Sequence, residues 1–77
     1  MMEGNYHINI FWSAEDESWI ADIPDLPHCY AFGDSAEEAL RELEVTQRLW
    51  LETAREEGIP IPAAKYIPTI YQAAVGA

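Results

Sequence analysis

The chain has 77 residues, of which 49% are hydrophobic and 12% aromatic, and its 14 acidic and 4 basic residues give a net charge of −10. This composition predicts one small folded domain, and the scarcity of Lys and Arg argues against direct nucleic-acid binding. No apolar run approaches the about 20 residues of a membrane helix, and no signal-peptide pattern is present, so we expect a cytoplasmic protein. The acidity favours either a basic partner or simply good solubility.

Three short strands are predicted first, over about residues 5–13, 18–23 and 29–32. Apolar and polar residues alternate along the first strand, which predicts one buried face, with His7 on the opposite, solvent-facing side. The second strand stops at the turn of residues 24–27 (PDLP), because proline cannot donate to a sheet ladder.

A long helix is predicted over about residues 36–57. Ser35 is a good N-cap, and Glu38 is placed to complete a capping box by accepting the Ser35 backbone N–H. Gly58 favours the left-handed conformation that ends a helix, and Pro60 prevents continuation. One apolar stripe at helical spacing is expected to face the core: Leu40, Leu43, Trp50, Leu51 and Ala54.

Residues 65–71 (KYIPTIY) predict a short fourth strand, which Pro68 limits to an edge position. The chain is therefore expected to form a single α+β domain over residues 1–77, with two layers, an antiparallel β-β-β-α-β order and the long helix packed on the sheet. So short a chain has a marginal core, and the last segment is too apolar to be left in water. We therefore expect a homodimer or higher oligomer, with an interface formed by Tyr66, Ile67, Ile70 and Tyr71.

The sequence predicts no catalytic residue, no cofactor and no metal site. His28 and Cys29 are adjacent, so on a strand their side chains would point to opposite faces, which suits neither a nucleophile–base pair nor shared metal ligation. A remote alternative is a metal-dependent nuclease remnant in which Asp22, Asp25 and Asp34 hold Mg²⁺.

Four ordered motifs resemble those of the HicB-like antitoxin family. They are residues 24–27 (PDLP), Cys29, residues 33–35 (GDS) and residues 37–40 (EEAL), and the likeness extends over about residues 6–62. The resemblance implies a partial ribonuclease-H-like fold without the ribonuclease active site. It also implies an antitoxin that neutralises a small basic HicA-type toxin, an mRNA interferase.

Two features of the chain depart from this family. His28 occupies a position that is usually Gly, and a positive φ there would cost a His residue some backbone strain. Only 15 residues follow Pro62, too few for the C-terminal DNA-binding domain that many such antitoxins have, so DNA binding is not implied.

Contacts with a basic partner are expected from acidic residues in the predicted loops. These residues are Glu15, Asp16, Glu17, Asp25 and Asp34. An alternative to the antitoxin is a solitary HicB-like dimer that has a regulatory or structural role and no toxin partner.

Overall fold

The computed structural model describes residues 4–70 of the chain. Three strands precede one helix: β1 (Asn9–Ser13), β2 (Ser18–Asp22), β3 (Tyr30–Gly33) and α1 (Ala36–Glu57). The sheet has the order β1-β2-β3, and both neighbouring pairs are antiparallel. Helix α1 packs across one face of this sheet and contacts all three strands. The predicted two-layer α+β fold is thus confirmed.

Strand β1 is shorter than expected, because it begins at Asn9 and not at about residue 5. Asn9 lies opposite Asp22, the last residue of β2, so extending the ladder would require Ile23. The backbone N–H of Ile23 donates to the carbonyl oxygen of Cys29 at 3.0 Å, on the β3 side, and the next residue, Pro24, has no N–H to donate toward residues 5–8. The turn that ends β2 therefore also removes the partner that residues 5–8 would need.

The predicted fourth strand is wrong for the part of residues 65–71 that the structure describes. Residues 65–68 have no regular structure, and residues 69–70 are helical. Tyr71 lies outside the described residues. Two backbone amides that a strand would use, those of Lys65 and Tyr66, donate instead to the carboxylate of Asp25. A side-chain acceptor therefore replaces the sheet ladder in this segment.

The helix ends where its sequence predicts, with one difference in detail. Ser35 Oγ accepts the backbone N–H of Glu38 at 3.1 Å, but Glu38 Oε1 accepts the N–H of Asp34, not that of Ser35. Gly58 has φ of 68°, and its N–H donates to the carbonyl oxygen of Ala54. Both ends are thus capped by the residues expected, which satisfies backbone groups that the helix itself leaves unpaired.

The core lies between the sheet and α1. Its buried apolar residues are Ala21, Ile23, Leu26, Cys29, Ala31, Ala39, Leu43, Leu51 and Ala54. Gln47 lies on the same stripe of the helix and is only 2% exposed, although its side chain is polar. Trp50 Nε1 donates to the carbonyl oxygen of Pro27 at 2.9 Å, which joins the helix to the β2–β3 loop.

Gly33 allows the end of β3 to approach the first turn of α1. A Cβ atom at this position would lie 2.8 Å from the carbonyl carbon of Glu38 and closer still to the backbone nitrogen of Ala39. No side chain fits in that space, so the glycine of the GDS motif sets how closely the helix packs on the sheet.

Candidate protein-binding face

The side of the sheet opposite α1, which we call the open sheet face, presents rows of side chains that run across the strands, and two of these rows form the candidate site. Phe11, Ile20 and Phe32 lie side by side in one row. The second row contains Asn9, Asp22 and Tyr30. The alternate residues of β2 and β3, such as Ala21 and Ala31, are buried under the helix. The sequence predicted a solvated polar side for β1, whereas this face is largely aromatic.

The aromatic side chains of the open sheet face are about half exposed: Phe11 is 47%, Tyr30 50% and Phe32 46% exposed. The rings of Tyr30 and Phe32 pack edge to face, with centroids 5.7 Å apart and an interplanar angle of 90°. Contiguous exposed apolar surface of this kind marks sites of protein interaction more often than isolated surface side chains do.

A shallow cleft of about 420 Å³ lies on this face. The aromatic residues, Ile20, Asp16 and Asp22 all contribute to its lining. Asp22 Oδ1 is buried and has no hydrogen-bond partner among residues 4–70. Burial, and secondarily the negative charge of Asp22, raise the pKa of the Cys29 thiol above its ordinary value. The cleft thus combines aromatic surface with a carboxylate of which one oxygen, Asp22 Oδ1, lacks a donor.

Four of the five acidic residues expected to bind a partner lie at one end of the sheet. Glu15, Asp16 and Glu17 form the β1–β2 turn, and Asp34 follows the end of β3. The two segments are neighbours because Ser18, the first residue of β2, donates from Oγ to the carbonyl oxygen of Gly33 at 3.0 Å. We call these four residues the acidic end.

Asp25, the fifth residue, lies in the β2–β3 loop at the opposite end of the sheet. Its carboxylate accepts the backbone N–H groups of Lys65 at 3.1 Å and of Tyr66 at 3.2 and 3.1 Å. The Tyr6 hydroxyl donates to the carbonyl oxygen of Pro62, and the ring of Tyr66 lies 4.8 Å from that of His7. These contacts hold the segment that follows the helix, residues 59–66, against the start of the sheet.

The three carboxylates considered for Mg²⁺ are not gathered at one place. Asp22 and Asp25 lie at one end of the sheet and Asp34 at the other, with the length of β3 between them. Within residues 4–70, no group of three or more His, Cys, Asp or Glu side chains is close enough together to hold a metal ion.

His28 has φ of 61°, so the position where the family usually has Gly does adopt the left-handed conformation. His7 is engaged locally, with Nε2 2.6 Å from Asn9 Oδ1. His28 therefore lies in a turn, and His7 contacts Asn9 and the ring of Tyr66.

The residues proposed for self-association are exposed where the structure describes them. Ile70 is 82% exposed, and Tyr66 and Ile67 are about half exposed. Tyr71 lies outside the described residues.

Sequence reasoning missed the open sheet face as a candidate site. The signal was present in β1, where Ile10, Phe11 and Trp12 are consecutive and place apolar side chains on both sides of the strand. In β3, the aromatic residues Tyr30 and Phe32 flank the buried Ala31 and so lie on the face of the sheet opposite the core. Asp22 was considered only as a metal ligand.

Within residues 4–70, no helix is both long and apolar enough to cross a membrane.

Comparison with known proteins agrees with the resemblance seen in the motifs. The family model described as the HicB-like antitoxin of bacterial toxin–antitoxin systems matches residues 6–74. The UPF0150 protein ssl0259 of Synechocystis sp. (strain ATCC 27184 / PCC 6803 / Kazusa) is 42% identical over 59 residues, which cover 77% of this chain and 80% of that relative. No solved structure gives a significant match. The chain belongs to the HicB-like antitoxin family.

Proposed function

We propose that this protein is an antitoxin that binds a small basic HicA-type toxin and covers its catalytic and RNA-binding surface. The observation that supports this proposal is the open sheet face, where half-exposed aromatic side chains adjoin the acidic end. Protein interfaces combine an apolar, aromatic-rich centre with a polar rim, and the face has both parts. On this proposal the protein acts by binding and catalyses no reaction itself.

The charges favour a basic partner. The chain carries a net charge of −10, and Glu15, Asp16, Glu17 and Asp34 project from loops at one end of the sheet. Opposite charge across an interface accelerates association and excludes wrong partners, while buried aromatic anchors supply most of the binding free energy. We therefore assign the acidic end to attracting the toxin and Phe11, Tyr30 and Phe32 to holding it.

The proposal is tested with a HicA-type protein, which we expect to be encoded beside this chain's gene. Purified toxin cleaves an mRNA transcript in vitro, and we expect cleavage to stop when this protein reaches a one-to-one ratio with the toxin. A variant with Phe11→Ser and Phe32→Ser should inhibit much less well. Unimpaired cleavage in the presence of excess protein would refute the antitoxin function, as would the absence of a HicA-type reading frame beside the gene.

The solitary alternative rests on the exposure of the apolar side chains of residues 66–70. We propose that the protein self-associates through Tyr66, Ile67, Ile70 and Tyr71, because large apolar side chains such as the 82% exposed Ile70 favour burial against a second copy. Sedimentation equilibrium at micromolar concentration should give a dimer or larger mass for the full chain. Ile70→Ser should lower that mass, whereas Val45→Ser, which removes an exposed apolar side chain from α1, should not.

A monomer mass for the unaltered chain would end the self-association proposal without affecting the antitoxin proposal. Conversely, a dimer that inhibits no toxin would favour the solitary regulatory or structural role. Because the proposed target cleaves mRNA, we place the encounter in the cytoplasm, and the acidity of the chain supports binding to the toxin and not to the RNA.

A further inference from the structure

We propose that the cleft of the open sheet face is an arginine-binding pocket in which Asp22 is the anion. The inference rests on the proposed function in one respect: the arginine would belong to the basic toxin. It adds the residue that anchors the complex and the chemical group that this residue recognises.

Asp22 is placed to accept a cation. It is the last residue of β2 and lies in the second row of the open sheet face, opposite Tyr30. Its Oδ1 is buried and has no hydrogen-bond donor within residues 4–70. A buried acceptor without a donor is destabilising, and a charged acceptor more so. Because Oδ1 is buried, a ligand in the cleft reaches it once the Asp22 side chain turns outward, and the N–H donors of the ligand then supply the interaction that the protein alone lacks.

The aromatic lining selects arginine over lysine. Phe11, Tyr30 and Phe32 present half-exposed rings beside the carboxylate. A guanidinium group is planar, so it stacks on an aromatic ring while donating two parallel hydrogen bonds to a carboxylate. The ammonium group of lysine is compact and strongly hydrated, and it uses such a site less well.

The charges around the cleft are consistent with this assignment. Asp16 contributes a second carboxylate to its lining, and His28 is the one basic side chain among the described lining residues. The neighbouring Cys29 thiol is buried. An incoming cation thus meets negative charge at two points of the cleft, with aromatic surface around them.

The pocket is tested without any toxin, by titrating the full chain with N-acetyl-argininamide and following backbone amide signals by NMR. We expect saturable shifts centred on β2 and β3, with affinity in the millimolar range. Asp22→Asn keeps the side-chain shape but removes the charge, and it should weaken arginine binding about tenfold or more. N-acetyl-lysinamide should bind several-fold more weakly than the arginine compound.

The matched control is Glu52→Gln, which removes one negative charge from an exposed position on α1, away from the sheet. It should change the affinity less than about twofold, because its effect is only a screened, long-range one. Phe32→Ser is a second test that leaves Asp22 intact, and it should weaken binding several-fold through lost stacking. Amide spectra with native dispersion verify that each variant is folded.

Several results would overturn the pocket. They are the absence of saturable shifts, equal affinity for Asp22→Asn and the unaltered chain, or shifts confined to residues 15–17.

The same variants distinguish failure of the pocket from failure of the proposed antitoxin function. If the toxin binds the unaltered chain and Asp22→Asn equally well, Asp22 does not anchor the complex, but the antitoxin function stands. If the chain binds the arginine compound at Asp22 but inhibits no toxin, the pocket is supported and the antitoxin function is refuted.

Discussion

The backbone N–H of Tyr66 donates to the carboxylate of Asp25, 41 residues earlier in the chain, at 3.2 and 3.1 Å to its two oxygens. Asp25 belongs to the PDLP turn, so this motif does more than end a strand. It holds the segment that follows the helix against the sheet, together with the hydrogen bond from Tyr6 to Pro62. The position of residues 59–66 therefore depends in part on an acidic side chain in a distant loop.

Replacing Asp25 by Ala should release this segment. We expect the free energy of unfolding to fall by about 1–2 kcal/mol, because the Asp25 carboxylate accepts two backbone N–H groups and each such bond contributes about 1 kcal/mol. Trypsin should then cleave more rapidly after Lys65, which the released backbone exposes. Glu15→Ala is the matched control, since it removes the same charge from a loop residue without a hydrogen bond to this segment. Equal proteolysis of Asp25→Ala and the control would contradict the role of Asp25.

The two glycines at the ends of the helix should differ in their sensitivity to Ala. Gly33→Ala places a methyl group 2.8 Å from the carbonyl carbon of Glu38, so we expect it to destabilise the fold by at least about 1–3 kcal/mol, as overpacking does. Gly58→Ala meets no atom within 4 Å and should cost only about 1 kcal/mol, through its φ of 68°. Urea unfolding at neutral pH measures both, and the reverse order would disprove the close packing of β3 on α1.

Cys29 should make the stability depend on pH in the alkaline range. Burial and the charge of Asp22 raise its pKa, so the folded protein favours the protonated thiol. This contribution to stability is fully present below the ordinary thiol pKa of about 8.5, and it is lost as the pH rises through the higher folded value. Compared with Cys29→Ala, the unaltered chain should lose part of its stability as the pH rises above the ordinary thiol pKa. Urea midpoints that fall in parallel for both proteins would count against the shift.

Association with the toxin should slow as salt is added. The four acidic residues of the acidic end are exposed, and screening by salt shortens the range over which their carboxylates attract a basic protein. We expect the stopped-flow association rate to fall about tenfold between about 0.05 and 0.5 M salt. Neutralising the β1–β2 turn with Glu15→Gln, Asp16→Asn and Glu17→Gln should reduce that dependence, whereas Glu52→Gln on α1 should not. A rate independent of salt would show that charge does not guide the encounter.

The parts of the fold that depend on local sequence were predictable. The helix ends follow from Ser35 and Gly58, which act on backbone groups only a few residues away. The start of β1 was not predictable, because it depends on where β2 turns into its loop, at Ile23. The conformation of residues 65–70 likewise depends on Asp25, and no short-range pattern connects positions 41 residues apart.

The candidate site was predictable only in its charges. The acidic residues of the turns could be named from the sequence, but their grouping at one end of the sheet follows from strand register. Asp22 alternates with apolar residues of β2, and its missing hydrogen-bond donor becomes evident only when the neighbouring strands are in place. Gln47 shows the converse, since a polar residue can occupy a buried stripe that hydropathy assigns to apolar side chains.

The central claim, that the open sheet face binds the toxin, is tested most directly by calorimetry with two matched variants. Phe32→Ser alters a half-exposed side chain of that face, and Leu49→Ser alters a 57% exposed side chain on the opposite, helical side. We predict that Phe32→Ser weakens toxin binding by about tenfold or more, as truncation of a central aromatic residue does, and that Leu49→Ser changes the dissociation constant by less than about twofold. Unchanged affinity for Phe32→Ser together with a large loss for Leu49→Ser would place the toxin on the helix and contradict the account.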